Sequence, residues 1–177
     1  GQFDLAEKYL IKVIRLKPNF LMAYQNLFNV YIKSNKRKKA RDVLNECLKI
    51  APNNPLIISN IGRFLLEEDN LYEARKYLKK AISLKSDFWV PYNNLAILEA
   101  TIGNLLEAEK NFHKVIEINP NYAEAYVSLG EIKNDLFKIN EAETFFQRSL
   151  EIKKDFVNGY SSLFRFCLLY TSPSPRD

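Results

Sequence analysis

The sequence predicts an all-α protein, a solenoid of antiparallel helix-turn-helix hairpins, and three observations predict it. Pro18, Pro52 and Pro120 stand 34 and twice 34 residues apart, an interval of the kind that marks repeat architectures. Alanine returns at the same interval, at Ala6, Ala40, Ala74, Ala108 and Ala142. Between these markers each stretch carries two apolar stripes at helical spacing, separated by a polar turn such as EEDN at 67–70 or TIGN at 101–104.

With the proline slot as position 32, full repeats span 21–54, 55–88, 89–122 and 123–156, and partial repeats occupy 1–20 and 157–166. Position 4 holds Tyr24, Ile58, Tyr92, Tyr126 and Tyr160, and position 7 holds Leu27, Ile61, Leu95, Leu129 and Leu163. Position 8 holds Phe28, Gly62, Ala96, Gly130 and Phe164, and position 24 holds Leu10, Leu44, Leu78, Phe112 and Phe146. A small residue at positions 8 and 20 lets two helix backbones approach, and the large residues at 4, 7 and 24 fill the remaining space. Helices of about 13 residues are marginal alone in water, so stacking must stabilise them. Asn19, Asn53, Asp87, Asn121 and Asp155 follow the proline slot, where a short side-chain oxygen is expected to cap the next helix. The proline slot closes the preceding helix.

The pattern Tyr-x-x-Leu-Gly/Ala, then Ala, then Phe, then Pro resembles the tetratricopeptide repeat and covers the chain to about residue 166. Phe28 and Phe164 in the small slot, and Ser86 and Lys154 in the proline slot, depart from it. The resemblance implies a right-handed superhelix whose first helices line a concave groove for a protein or peptide partner.

At 177 residues and 47% apolar content the chain can bury a sizeable core. No run of about 18 apolar residues spans a bilayer, and GQFDLAEKYL lacks the layout of a secretory signal. Because the chain opens partway through a repeat, a signal upstream stays open. Two cysteines, Cys47 and Cys167, make neither a disulfide framework nor a zinc site, which fits the reducing cytoplasm. The tail from Cys167 to Asp177, CLLYTSPSPRD, leaves the repeat register. Its first residues can be back-translated as TGT CTC TTA TAC ACA TCT, which matches the transposase adapter of short-read library preparation. Residues 167–177 are therefore expected to be translated adapter, with a Ser/Pro-rich linker as the alternative.

Catalysis finds no constellation. The single histidine, His113, sits in a slot that other repeats fill with Ile11, Asn45, Lys79 and Gln147, as a solvated helix face does. Cys47 shares its slot with Ala81, Val115 and Ser149 and reads as a packed thiol. No phosphate-binding, dinucleotide, nucleophile-elbow or zinc-protease motif is present. Neither a cofactor nor a metal is expected.

Position 6 is the informative polar row: Asn26, Asn60 and Asn94, then Ser128 and Ser162. Asparagine is a poor mid-helix residue. At 100° per residue this position lies about 150° from the packing face of its own helix, so the row is expected to point away from the hairpin core. An Asn side chain offers a donor and an acceptor, matching the N–H and C=O of an extended peptide. The row is similar to the asparagine ladder in the repeat superhelix of protein O-GlcNAc transferases. Position 9 (Asn29, Arg63, Ile97, Glu131) and position 5 (Gln25, Ser59, Asn93, Val127) flank it and are expected to set specificity. Chaperone-binding members of the family clamp a C-terminal carboxylate. The slots they use hold Gln25, Asn29, Asn60, Val90 and Asn94 here, and only the asparagines match.

The expected function is a peptide-binding scaffold using Asn26, Asn60, Asn94, Ser128, Asn29, Arg63, Gln25 and Asn93. A first alternative is the substrate-recruiting arm of a glycosyltransferase or sulfotransferase whose catalytic domain lies outside the chain. A weaker one is nucleic-acid or acidic-partner binding through Lys33, Lys36, Arg37, Lys38, Lys39 and Arg41, although the other turns are not basic.

Overall fold

The structure, a computed structural model, describes the backbone of residues 1–171 and the side chains to residue 168. The described residues form ten helices and no strand. In order they are α1 (Gln2–Leu16), α2 (Leu21–Lys33), α3 (Arg37–Ile50), α4 (Pro55–Glu67), α5 (Leu71–Leu84), α6 (Trp89–Thr101), α7 (Leu105–Ile118), α8 (Ala123–Asp135), α9 (Ile139–Ile152) and α10 (Val157–Thr171). Each full repeat is one hairpin with a first helix of 13 residues and a second of 14. Two compact units divide the chain, 1–86 and 87–177. In the first, each of α1 to α5 packs on the next; in the second, each of α6 to α10 does, and α10 also meets α8. Within each unit this is the expected all-α solenoid of stacked hairpins. The expected adapter boundary at Cys167 falls inside α10, and its last residues, 172–177, lie outside the described ones.

The turn inside each hairpin repeats to the atom. Position 15 adopts a left-handed backbone at Asn35 (φ 56°), Asp69 (φ 58°), Gly103 (φ 80°) and Phe137 (φ 57°). The next amide then reaches back over the turn: Lys36 N–H to Tyr31 C=O, Asn70 to Leu65, Asn104 to Glu99 and Lys138 to Lys133, at 2.8–2.9 Å. This is the Schellman closure, which satisfies carbonyls orphaned at a helix end and favours Gly or Asn at that residue. Phe137 breaks the preference, and it is 84% exposed, so little packing offsets its strain. Phe137→Gly is expected to raise stability by about 1 kcal/mol. Urea unfolding checks this; an unchanged or lower midpoint would mean that the ring contributes contacts outweighing the strain.

Between hairpins the capping expectation is corrected. The N-caps of α2, α4, α6 and α8 are Phe20, Asn54, Phe88 and Tyr122, one residue beyond the Asn/Asp slot. The reason is a reverse turn: Phe20 N–H donates to Lys17 C=O at 3.1 Å and Tyr122 N–H to Asn119 C=O at 3.2 Å. Pro18 and Pro120 take the first central place, suited to a fixed φ, and the Asn the second. Only α4, among these helices, gains a side-chain cap: Asn54 accepts from Leu56 and Ile57. The position 4 tyrosines also tie down the turn, Tyr24 Oη donating to Pro18 C=O at 2.9 Å and Tyr126 Oη to Pro120 C=O at 3.1 Å.

The core follows the repeat positions. Ala40, Ala74, Ala108 and Ala142 are fully buried at 0% exposure, as close helix approach requires. A Cβ on Gly62 would stand 2.7 Å from Leu78, and one on Gly130 would stand 2.5 Å from the Phe146 ring. Position 8 is therefore small because position 24 of the same hairpin lies on it. In the first hairpin Phe28 fills that slot and is itself buried, edge-on to Phe64 with ring centroids 6.1 Å apart. The apolar core of unit 1 centres on Leu27, Phe28, Leu44, Ile61 and Phe64. Unit 2 holds two clusters, around Phe112 and Leu129 and around Phe146 and Phe166.

Candidate functional site

The residues expected to hold a partner lie on the first helices: Gln25, Asn26 and Asn29 on α2, Asn60 and Arg63 on α4, Asn93 and Asn94 on α6, and Ser128 on α8. Asn26 and Asn29 are exposed, Gln25, Asn60, Arg63, Asn93 and Ser128 are partly exposed, and Asn94 is buried. The row at position 6 is thus unevenly open. Asn94 is 5% exposed and its Nδ2 has no hydrogen-bond partner, a donor left unused at some cost. In unit 2 the rows meet directly: Ser162 Oγ, at position 6, donates to Glu131 Oε1, at position 9 of the preceding repeat, at 3.0 Å. In unit 1 Arg63 pairs with Glu67 one turn along α4 and stacks over the Phe28 ring, 5.5 Å from its centroid.

The basic run is engaged by carboxylates of the flanking repeats. Lys36 reaches Glu7 at 2.8 Å and Asp4 at 3.3 Å, and Lys39 reaches Glu7 at 2.7 Å. Arg37 and Arg41 hold Glu68 from the other side, at 3.1 and 2.8 Å. These pairs offset the unfavourable placing of cations at the start of α3, and they leave four of the six charges turned onto the protein itself. Hydrogen bonds from Lys36 and Lys39 hold the Glu7 carboxyl down at about 2, against an ordinary 4.5. Burial and the hydrogen bond to Glu7 push the Tyr31 phenol up to about 12. Because the folded value of Glu7 is depressed, its stabilising contribution is complete above about pH 4.5 and is lost as pH falls through about 2. Glu7→Gln is expected to lower stability at pH 7 and to flatten the stability profile between those values. Urea midpoints across that range check it; parallel profiles for the two proteins would contradict it.

Elsewhere the polar chemistry is structural. Cys47 is buried, and burial pushes its thiol up to about 11, far from the thiolate a nucleophile needs. His113 lies 46% exposed beside Glu109 and the Phe145 ring. Among the described residues no three His, Cys, Asp or Glu side chains gather as metal ligands. No described helix is long and apolar enough to cross a membrane. Lys133, with its side chain 6% exposed, bridges Glu109 of α7 at 2.8 Å and Glu141 of α9 at 2.6 Å. Burial works against its charge, and the hydrogen bonds to Glu109 and Glu141 together outweigh it and raise its pKa. Sequence reading missed this bridge, as it missed Glu7 and Glu68: partners brought together from different helices leave no local signal.

Comparison with known proteins follows the same lines. Two family models, both described as Tetratricopeptide repeat, match residues 90–155 and residues 23–54 and 57–88. Among solved structures the chain is similar to MamA, with a TM-score of 0.71 and 23% identity over 87% of this chain and 90% of that one. It is similar to YrrB, described as a TPR protein with an unusual peptide-binding site, with a TM-score of 0.68 and 21% identity over 92% and 84% of the two chains. It is also similar to the first TPR of Spaghetti (RPAP3), bound to the HSP90 peptide SRMEEVD, with a TM-score of 0.63 and 20% identity over 67% and 94%. No curated protein sequence matches the chain. With hairpins of 34 residues, buried alanines at every full repeat and two family models spanning most of its length, the chain belongs to the tetratricopeptide repeat family.

Proposed function

We propose that the chain is a protein-interaction scaffold that holds extended peptide along the face of the first helices within each of its two units. In this reading the side chains of position 6 pair with peptide backbone groups, Asn26 and Asn60 in the first unit and Asn94 and Ser128 in the second. Asn29, Arg63, Gln25 and Asn93 contact peptide side chains. The observation that supports the reading is the hydrogen bond from Ser162 to Glu131, one instance in which position 6 of a repeat meets position 9 of the repeat before it. YrrB and RPAP3, which share the fold, are described with a peptide-binding site and a bound peptide. The role would be the same in a free scaffold and in the recruiting arm of a larger enzyme. Nucleic-acid binding through the basic turn is disfavoured, because Lys36, Arg37, Lys39 and Arg41 are already paired.

The test combines Asn26→Ala, Asn60→Ala and Asn94→Ala in one protein and measures its affinity for peptides selected on the wild type. Affinity is expected to fall at least about tenfold, the equivalent of one or two lost hydrogen bonds, with helicity by circular dichroism intact. Unchanged affinity with intact helicity would discard the asparagine row.

A further inference from the structure

Between α8 and α10 of the second unit lies a cavity of about 380 Å³ whose polar lining includes Glu131, Asn134, Asp135 and Ser162. Phe146 and Phe166 supply its aromatic part, with ring centroids 5.6 Å apart. Acceptors predominate. Glu131 and Asp135 are carboxylates, and Asn134 Oδ1 is buried without a hydrogen-bond partner. Ser162, 6% exposed, commits its hydroxyl to Glu131 and so fixes that carboxylate in place. The chain's own Arg165 also lines the cavity and reaches toward the same pair, Nη2 standing 3.4 Å from Glu131 Oε1 and 3.3 Å from Ser162 Oγ. Both are longer than the roughly 2.7–2.9 Å of a strong charge-assisted bond, and the Arg165 side chain is 70% exposed. An exposed pair of this length is worth little and is readily exchanged.

We propose that this cavity is a pocket for one cationic side chain, arginine or lysine, of the peptide held along the first helices. The alkyl stem packs against aromatic carbon while the charged head meets Glu131 and Asp135. Arg165 occupies the charge site until the ligand displaces it. The proposal rests on the scaffold reading above and adds the charge class of the partner: a basic peptide at this end of the chain, in contrast to the carboxylate clamp of chaperone-binding relatives.

The test screens the full chain against a synthetic library of acetylated dodecapeptides and measures the best binders by fluorescence anisotropy. Bound peptides are expected to carry Arg or Lys at one fixed place. Glu131→Gln with Asp135→Asn is expected to weaken them about tenfold, whereas Arg165→Ala, by removing the internal competitor, tightens them a few-fold. A packing defect would weaken binding in both variants, so the opposite signs identify the pocket. Binders without a fixed cation, or variants that shift affinity in the same direction, would overturn the pocket and leave the scaffold reading standing. A wild-type chain that binds no peptide would overturn both.

Discussion

Phe146→Ala is expected to lower the unfolding free energy by about 3–5 kcal/mol, the usual cost of emptying a buried phenylalanine site. The ring is 2% exposed on α9, lies under Gly130 of α8 and packs against Phe166 of α10. Three helices therefore lose contact with one truncation. Collapse around the void is limited because Ala142, one turn earlier on α9, is already at 0% exposure and carries only a methyl group that cannot swing inward. Urea unfolding with a fixed m-value reads the effect. A loss under about 1 kcal/mol would mean that unit 2 repacks freely and that its hairpins are not closely fitted.

Gly130→Ala is expected to destabilise by about 1–3 kcal/mol although alanine is the better helix former. Its new methyl would meet the Phe146 ring at 2.5–2.9 Å, too close for a real contact, so the ring must shift out of its packed position. The clash belongs to the pair, so Gly130→Ala should cost much less in a Phe146→Ala background. A double-mutant cycle measures the coupling, expected at about 1–2 kcal/mol. Simple additivity would show that the glycine is small for a reason other than this contact.

These two residues also show how far sequence alone carries. Position 8 is small and position 24 large in the middle repeats, and periodicity sufficed to mark both as packing slots, because close packing acts through residues at fixed offsets within one hairpin. That the two lie against each other is seen only in the structure. The prolines and alanines fall where helical spacing puts them for the same reason. Asn19 and its equivalents were misplaced by one residue, since both a cap and a reverse turn welcome a short polar side chain and only the backbone distinguishes them. The candidate site was legible in direction and not in depth. A helical wheel relates position 6 to its own hairpin, but exposure depends on neighbouring helices, so Asn26 is open while Asn94 is buried. Glu7 and Glu68 were invisible as partners of the basic run: their side chains approach cations 27 to 32 residues away, and nothing local announces it.

The central claim is that the first-helix face grips a peptide through its backbone. The most direct measurement takes a peptide selected on the wild-type chain and compares its affinity with that of backbone N-methylated versions, moving the methyl along the sequence. If the position 6 row pairs with peptide amides, methylation at amides one repeat contact apart should each cost about tenfold, with intervening amides tolerant. Uniform tolerance of N-methylation along a tightly bound peptide would contradict the account, because the peptide N–H groups would then take no part in holding it.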